Sequence, residues 1–223
     1  MEALKLPSGR TFDREDLRVI GMMHKHGTVR YSDTSFNLKA GGTSRVYFLG
    51  REDLTANPAY LHAVAERAYL HLYDSLGQPG EDFCLIGVPM AGGAIASAMA
   101  IANYIENDDE QFRFLTMRQV LKTHGANQTW VDGRPNDGDI VATVENVRTT
   151  GASENEALAR IAKDGIPTDS IIRLSLVDRK LRPETDTMKT VYYLADIIAA
   201  FGHLGLWTPE QVEATLPEFL ATE

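Results

Sequence analysis

The sequence is short of cysteine, of positive charge and of long apolar runs. Cys84 is the single cysteine in 223 residues, so no internal disulfide can form and a disulfide-stapled scaffold is excluded. No apolar run approaches the roughly 18 residues expected of a membrane-spanning helix, so no membrane partner is expected. Lys and Arg total 22 against 31 Asp and Glu, a net charge of −9. That balance argues against broad nucleic-acid binding, which needs a basic face. The first residues, MEALKLPSGRTFDRED, lack the apolar stretch of a signal peptide, and a cytoplasmic protein is expected. Internal repeats and low-complexity segments are also missing. What remains is ordinary globular composition, 43% hydrophobic and 24% charged, in a chain long enough for one or two domains.

Residues 14–25 mix Leu17, Val19, Ile20, Met22 and Met23 with charges and predict a helix. The β-type runs 34–40 and 45–49 flank Gly41-Gly42 and predict a hairpin. Asn57-Pro58 opens a helix that Gly77 ends, asparagine as N-cap and proline at the first helical position. From residue 83 the rhythm changes. Apolar runs at 83–88, 112–117, 139–147, 170–178 and 190–194 predict five strands, with helices at 94–105 and 153–164. Strands alternating with helices imply a parallel α/β sheet covered on both faces. Ligands of such sheets sit beyond the carboxyl ends of the strands. The chemistry is therefore expected in loops 87–93, 118–138, 145–153 and 178–182. Thr208-Pro209-Glu210-Gln211 predicts a capping box that opens a last helix, with Trp207 beside it as a packing anchor.

The segment IVATVENVRTTGASENEALARI carries the strongest signal. A strand ends in Glu145 and Asn146. The small turn Thr149-Thr150-Gly151-Ala152-Ser153 follows, and a helix begins. Unpaired N–H groups at a helix start attract anions, and Gly151 permits close approach to the backbone. This predicts a phosphate-binding loop. The plainer alternative is a capping box between Ser153 and Glu156 with no ligand. Glu145, at the strand end, is placed to meet sugar hydroxyls or positive charge on a sugar ring.

VATVENVRTTGAS resembles the signature of type I phosphoribosyltransferases. Four further segments narrow the resemblance to orotate phosphoribosyltransferases. HGTVRYSDTSFNLKAGGTSRVYFLGREDLTANP is similar to that family's N-terminal hood. RQVLKTHG (118–125) resembles its mobile catalytic loop, LVDRK (176–180) the strand end whose arginine faces the base, and YYLADIIAAF (192–201) its last strand-to-helix connection. The resemblance implies a type I fold, a parallel sheet of about five strands flanked by helices. Its parts would be a hood (1–56), an α/β core (57–205) and a C-terminal helix (206–223) that packs on hood or core. It implies transfer of the phosphoribosyl group of phosphoribosyl pyrophosphate to orotate, in UMP biosynthesis. A homodimer is implied too, with loop 118–138 serving the partner's site and closing over ligand.

The resemblance also implies roles. Thr150, Gly151, Ala152 and Ser153, with Val147 and Arg148, would cradle phosphate, and Glu145 and Asn146 would touch the ribose. The backbone from Gly87 through Met90, Ala91, Gly92 and Gly93 would wrap pyrophosphate, with Gln119 nearby. Lys122, Arg118 and His124 would close over it, Lys122 as the most important catalytic side chain. Lys39, Tyr47, Phe48, Thr149 and Arg179 would bind orotate. Mg²⁺ would ride on the substrate's phosphates, with no direct protein ligand, as magnesium prefers. Taken singly these residues read more plainly: Lys122 and Arg118 as solvated surface, Tyr47 and Phe48 as packing, Arg179 as a surface ion pair.

Three positions depart from the family pattern: Asn146 replaces an acidic residue, Ala91 a lysine and Gln119 a basic residue. Arg148 stands where an apolar residue is usual, either returning positive charge to the site or facing solvent. The departures admit two alternatives: transfer to a different base, or a non-catalytic binder of phosphoribosyl pyrophosphate or nucleotide that regulates.

Overall fold

The computed structural model describes residues 4–38, 41–48, 52–76, 82–108, 111–120, 129–131 and 133–220. Helix α1 (Arg14–Lys25) is opened by Asp13, whose side chain accepts from the Asp16 N–H while Asp16 answers to the Asp13 N–H. Glu15 and Asp16 in its first turn, and His24 and Lys25 in its last, complement the helix dipole. Strands β1 (Val29–Asn37) and β2 (Thr43–Phe48) form the expected antiparallel hairpin, with β1 reaching back to Val29. Gly41 and Gly42 turn it at φ of 92° and 81°, which only glycine adopts without strain.

After the single turn α2 (Glu52–Thr55), α3 (Pro58–Leu76) starts where proline predicted, the Asn57 side chain accepting from the Tyr60 N–H at 3.1 Å. Its stop signal, Gly77, lies outside the described residues. The remaining elements are β3 (Phe83–Gly87), α4 (Ala91–Asn107), β4 (Phe112–Thr116), β5 (Ile140–Arg148), α5 (Ala152–Lys163), β6 (Ile172–Asp178), β7 (Met188–Tyr193), α6 (Leu194–His203), α7 (Pro209–Thr215) and a 3-10 turn (Leu216–Phe219).

Five strands form one sheet in the order β4-β3-β5-β6-β7, every pair parallel. β3 is buried throughout, as the continuous run FCLIG requires. Its alternation splits the core: Phe83 and Leu85 join α3, α4 and α6 on one face, Cys84 and Ile86 join Ala157 and Ile161 of α5 on the other. The chain leaves β3 toward β4 on one side and returns to β5 on the other. Strand order therefore reverses at the carboxyl ends of β3 and β5, where such sheets open a crevice.

The hood and C-terminal elements meet. Tyr31 of β1 packs edge-on against Trp207, which also lies against Phe201 of α6, so Trp207 is the anchor its position suggested. α7 opens with the Thr208–Gln211 capping box and touches both α6 and β2. No helix among the described residues is long and apolar enough to cross a membrane.

Candidate active site

A cavity of about 470 Å³ lies at this reversal point, lined by the end of β5, the turn 149–153, Pro89–Ala91, Leu38, Phe48 and Arg179. A second hollow of about 390 Å³ adjoins it across Pro89 and Met90, and Gly87, Gly93, Arg118 and Gln119 line it.

Close packing builds the first wall. A β-carbon on Gly92 would sit 2.0 Å from the Val144 carbonyl oxygen, and one on Gly87 would sit 2.2 Å from the Gly93 Cα. Only glycine lets the start of α4 press onto β3 and β5. The peptide between Pro89 and Met90 is cis. Not every N–H of this loop is available to a ligand. Val88 donates to the Val144 carbonyl at 2.9 Å and Gly92 to the Val88 carbonyl at 3.1 Å. The expected backbone wrap therefore loses these two donors.

The turn after β5 forms the second wall. Gly151 is the N-cap of α5 at φ 77°, a conformation that demands glycine, and no side chain caps the helix. The Ser153–Glu156 capping box is absent: Glu156 pairs with Arg160 instead, and Ser153 is exposed. The first amides of α5 thus face the cavity without a side-chain cap, the arrangement that binds anions. The Ala152 N–H has only the Thr150 hydroxyl, at 3.4 Å. Arg182 braces this turn by donating to the Thr149 carbonyl at 2.6 Å and to Asp178 at 2.5 Å. The sequence offered no sign of that role.

Glu145 is nearly buried at the cavity wall. Burial pushes its carboxyl up to about 7 and the nearby Glu154 carboxylate adds to this, while the Asn146 N–H, donating at 2.9 Å, opposes it. The Asn146 side chain turns back to accept from the Val147 N–H at 2.8 Å.

Arg148 does neither thing its position suggested. Its guanidinium is 3% exposed, 3.4 Å from Glu154 and 3.6 Å from Asp178, and donates to the Arg173 carbonyl at 2.9 Å. Its main-chain carbonyl is engaged as well, accepting from the Arg179 N–H at 3.0 Å. The buried Glu154 carboxylate it meets also takes Arg173 at 2.8 Å, which locks the start of α5 to β6.

The base end also needs correction. Burial alternates along β2, so Ser44, Val46 and Phe48 share one face and Tyr47 points the other way, 45% exposed against Phe36. Phe48 lines the cavity and Tyr47 does not. Arg179 lines it as well, with its guanidinium 3.0 Å from the Ser44 hydroxyl and 3.3 Å from Glu218. It is no surface ion pair with Asp178, whose carboxylate serves the Lys180 N–H and Arg182. Burial lowers the Arg179 pKa, and Glu218 opposes that.

Of the loop residues, Arg118 and Gln119 line the second hollow, and Arg160 of α5 holds both their carbonyls, at 2.8 and 3.0 Å. The far stem is equally tied: Arg118 N–H donates to Thr129 and Val131 N–H to Thr116, while Trp130 is 1% exposed in the core. The expected lid 118–138 is thus pinned at both stems and again at Arg134, which donates to the Asp164 carbonyl. Lys39, Lys122 and His124 lie outside the described residues. Among the described residues no three His, Cys, Asp or Glu side chains gather as a metal site. Cys84 is buried and its thiol is pushed up to about 12, far from nucleophilic.

No family model matches the sequence. The orotate phosphoribosyltransferase of Methanocaldococcus jannaschii is 28% identical over 162 residues, 73% of this chain and 81% of that one. That of Nostoc sp. is 30% identical over 152 residues, 67% of this chain and 68% of that one. Among solved structures, Leishmania donovani UMP synthase superposes with a TM-score of 0.68 at 20% identity over 91% of this chain. The chain spans 42% of that protein's length, so this likeness bears on the fold alone. Identity, coverage and the five-stranded parallel sheet agree: the chain belongs to the orotate phosphoribosyltransferase family.

Proposed function

We propose that this protein transfers the 5-phosphoribosyl group of phosphoribosyl pyrophosphate to orotate, giving orotidine 5'-phosphate and pyrophosphate for pyrimidine synthesis. One observation carries the reading. A single cavity joins an uncapped helix start, suited to a phosphate, to an arginine and an aromatic ring, suited to a flat anionic base. Glu145 lines the same cavity and is assigned to the sugar.

The reaction forms a bond from a ring nitrogen to the anomeric carbon as the bond to pyrophosphate breaks, with positive charge growing on the sugar. The amides of Ala152 to Glu154 and the Thr150 hydroxyl hold the 5-phosphate. Ionised Glu145 faces the growing charge, and its backbone neighbours fix its direction. Arg118, Lys122 and His124 neutralise the leaving pyrophosphate. Phe48 and Arg179 align the base, with Lys39 and Thr149. Catalysis is then positioning and electrostatics rather than covalent chemistry. Bound magnesium supplies further charge neutralisation on the pyrophosphate. The donor set suits an ion carried by substrate: one carboxylate, Glu145, beside an amide, Asn146, whose oxygen is already engaged.

A homodimer is part of the proposal. Ile101, Tyr104 and Ile105 on one side of α4, with Phe114 on the edge strand β4, form an exposed apolar patch. The loop 118–138 follows that same edge strand, and in the proposed dimer it serves the partner's cavity. A cytoplasmic location suits the lone buried thiol, and the hood, core and C-terminal helix are taken as the working parts.

Following orotate absorbance with phosphoribosyl pyrophosphate and magnesium tests the reading. Magnesium-dependent loss of orotate is expected, and Lys122→Ala should slow it by orders of magnitude. Folded protein that binds phosphoribosyl pyrophosphate yet consumes no orotate would overturn it, in favour of another base or a regulatory binder.

A further inference from the structure

The C-terminal 3-10 turn reaches Arg179, which lines the cavity. Glu218 lies 39 residues beyond Arg179 in sequence, yet its carboxylate is 3.3 Å from the Arg179 guanidinium. Phe219, 2% exposed, anchors the turn and lies under the same guanidinium at 5.1 Å from its ring centre. The other partners of this group are neutral: the Ser44 hydroxyl at 3.0 Å and the Val46 carbonyl at 3.4 Å. Among the described residues Glu218 is therefore the one ionised partner of the cation that lines the base end.

The pairing is loose in a telling way. It is a single contact rather than a two-pronged one, and the Glu218 side chain is 30% exposed while Arg179 is 8% exposed. A guanidinium so placed holds its direction through Ser44, Val46 and Phe219. Its charge is offset by a partly exposed carboxylate, which water can receive when released. An anionic base entering the cavity meets a cation already shared with another anion.

We propose that Glu218 is an internal counter-anion to Arg179 and a specificity-determining residue, setting how tightly the cavity holds an anionic base. This rests on the orotate reading above. Glu218 keeps the desolvated cation paired between turnovers, and it weakens the hold on base and product so that the nucleotide leaves.

The test compares the 223-residue chain with its Glu218→Gln and Glu218→Asp variants, measuring kcat and KM for orotate and calorimetric binding of orotidine 5'-phosphate. Glu218→Gln keeps the shape and removes the charge. Its KM for orotate should fall, and its hold on the nucleotide tighten, by about two- to fivefold, the scale of a partly exposed ion pair. Glu218→Asp keeps the charge and should stay near the parent. KM for phosphoribosyl pyrophosphate should move in neither variant. An orotate KM unchanged or raised in Glu218→Gln, with the parent active, overturns this inference and leaves the reaction standing. A parent that neither binds nor consumes orotate overturns both.

Discussion

Gly92 and Gly93 stand side by side at the start of α4, and the structure gives them opposite duties. An added methyl at Gly92 would lie 2.0 Å from the Val144 carbonyl oxygen, about 1 Å inside the closest approach that β-carbons make in folded proteins. The obstacle is backbone in the middle of a parallel sheet, so relief requires α4 and β5 to move apart. Overpacking of this kind costs about 1–3 kcal/mol, and the better helix propensity of alanine returns at most about 1. At Gly93 an added methyl meets nothing within 4 Å. Gly93→Ala should therefore be neutral, or more stable by up to about 1 kcal/mol. For a chain of this size each kcal/mol moves the thermal midpoint by about 2–4 °C. Gly92→Ala should melt several degrees below the parent by circular dichroism, and Gly93→Ala at or slightly above it. Kinetics should divide differently. Gly93 lines the second hollow, so its new methyl should raise KM for phosphoribosyl pyrophosphate while the protein stays stable. Equal midpoints for the two variants would refute the claim that α4 is pressed onto β5 through Gly92.

Three further outcomes are expected. The Glu145 carboxyl titrates near 7 in the fold against 4.5 ordinarily, so the folded state favours its protonated form. Stability from this group is full below pH 4.5 and is lost as pH rises through about 7, about 3 kcal/mol in all. Glu145→Gln should thus unfold at higher urea than the parent at pH 8 and near the same urea at pH 4, with activity falling at either pH; parallel urea midpoints at both would refute this. Arg148→Met strips a buried cation from Glu154 and Asp178 and should cost about 3–5 kcal/mol in denaturant unfolding. A cost below about 1 kcal/mol would mean that Arg173 and Arg182 satisfy those carboxylates unaided. Asn146→Asp retains an acceptor for the Val147 N–H and adds charge toward the sugar, so orotate turnover should hold or rise. A sharp loss would mean that the asparagine serves a different ligand.

The sheet was legible because parallel strands buried on both faces are written as largely apolar runs, as in FCLIG and the apolar positions of IRLSLVD. The turn at 149–153 was legible because its geometry is local: strand end, Gly151 and helix start are neighbours in the chain. Register was not. Tyr47 and Phe48 read alike as adjacent aromatics, and only the parity of β2 against the core turns Phe48 to the cavity and Tyr47 away from it. Partnerships between distant segments were illegible for a different reason. Arg148 finds Glu154 on α5, the Arg173 carbonyl on β6 and Thr190 on β7, and Glu218 finds Arg179 across the C-terminal fold. No spacing within the chain announces such meetings.

That difference bears on the charges missing at Ala91, Gln119 and Asn146. In sequence, Arg148 looked able to restore one cation. In the fold its charge is consumed by two buried carboxylates, and Arg179 is shared with Glu218. Among the described residues lining the two hollows, Arg118 is the remaining cation. On the proposed reading, the burden of holding two anions then falls on the first amides of α5, on Arg118, and on Lys39 and Lys122, which lie outside the described residues. Backbone dipoles fixed by Gly92, Gly151, Arg182 and the Glu154 carboxylate cost no side-chain ordering when ligand arrives. On the proposed reading, that rigidity would let a site with fewer cationic side chains still recognise a phosphorylated sugar.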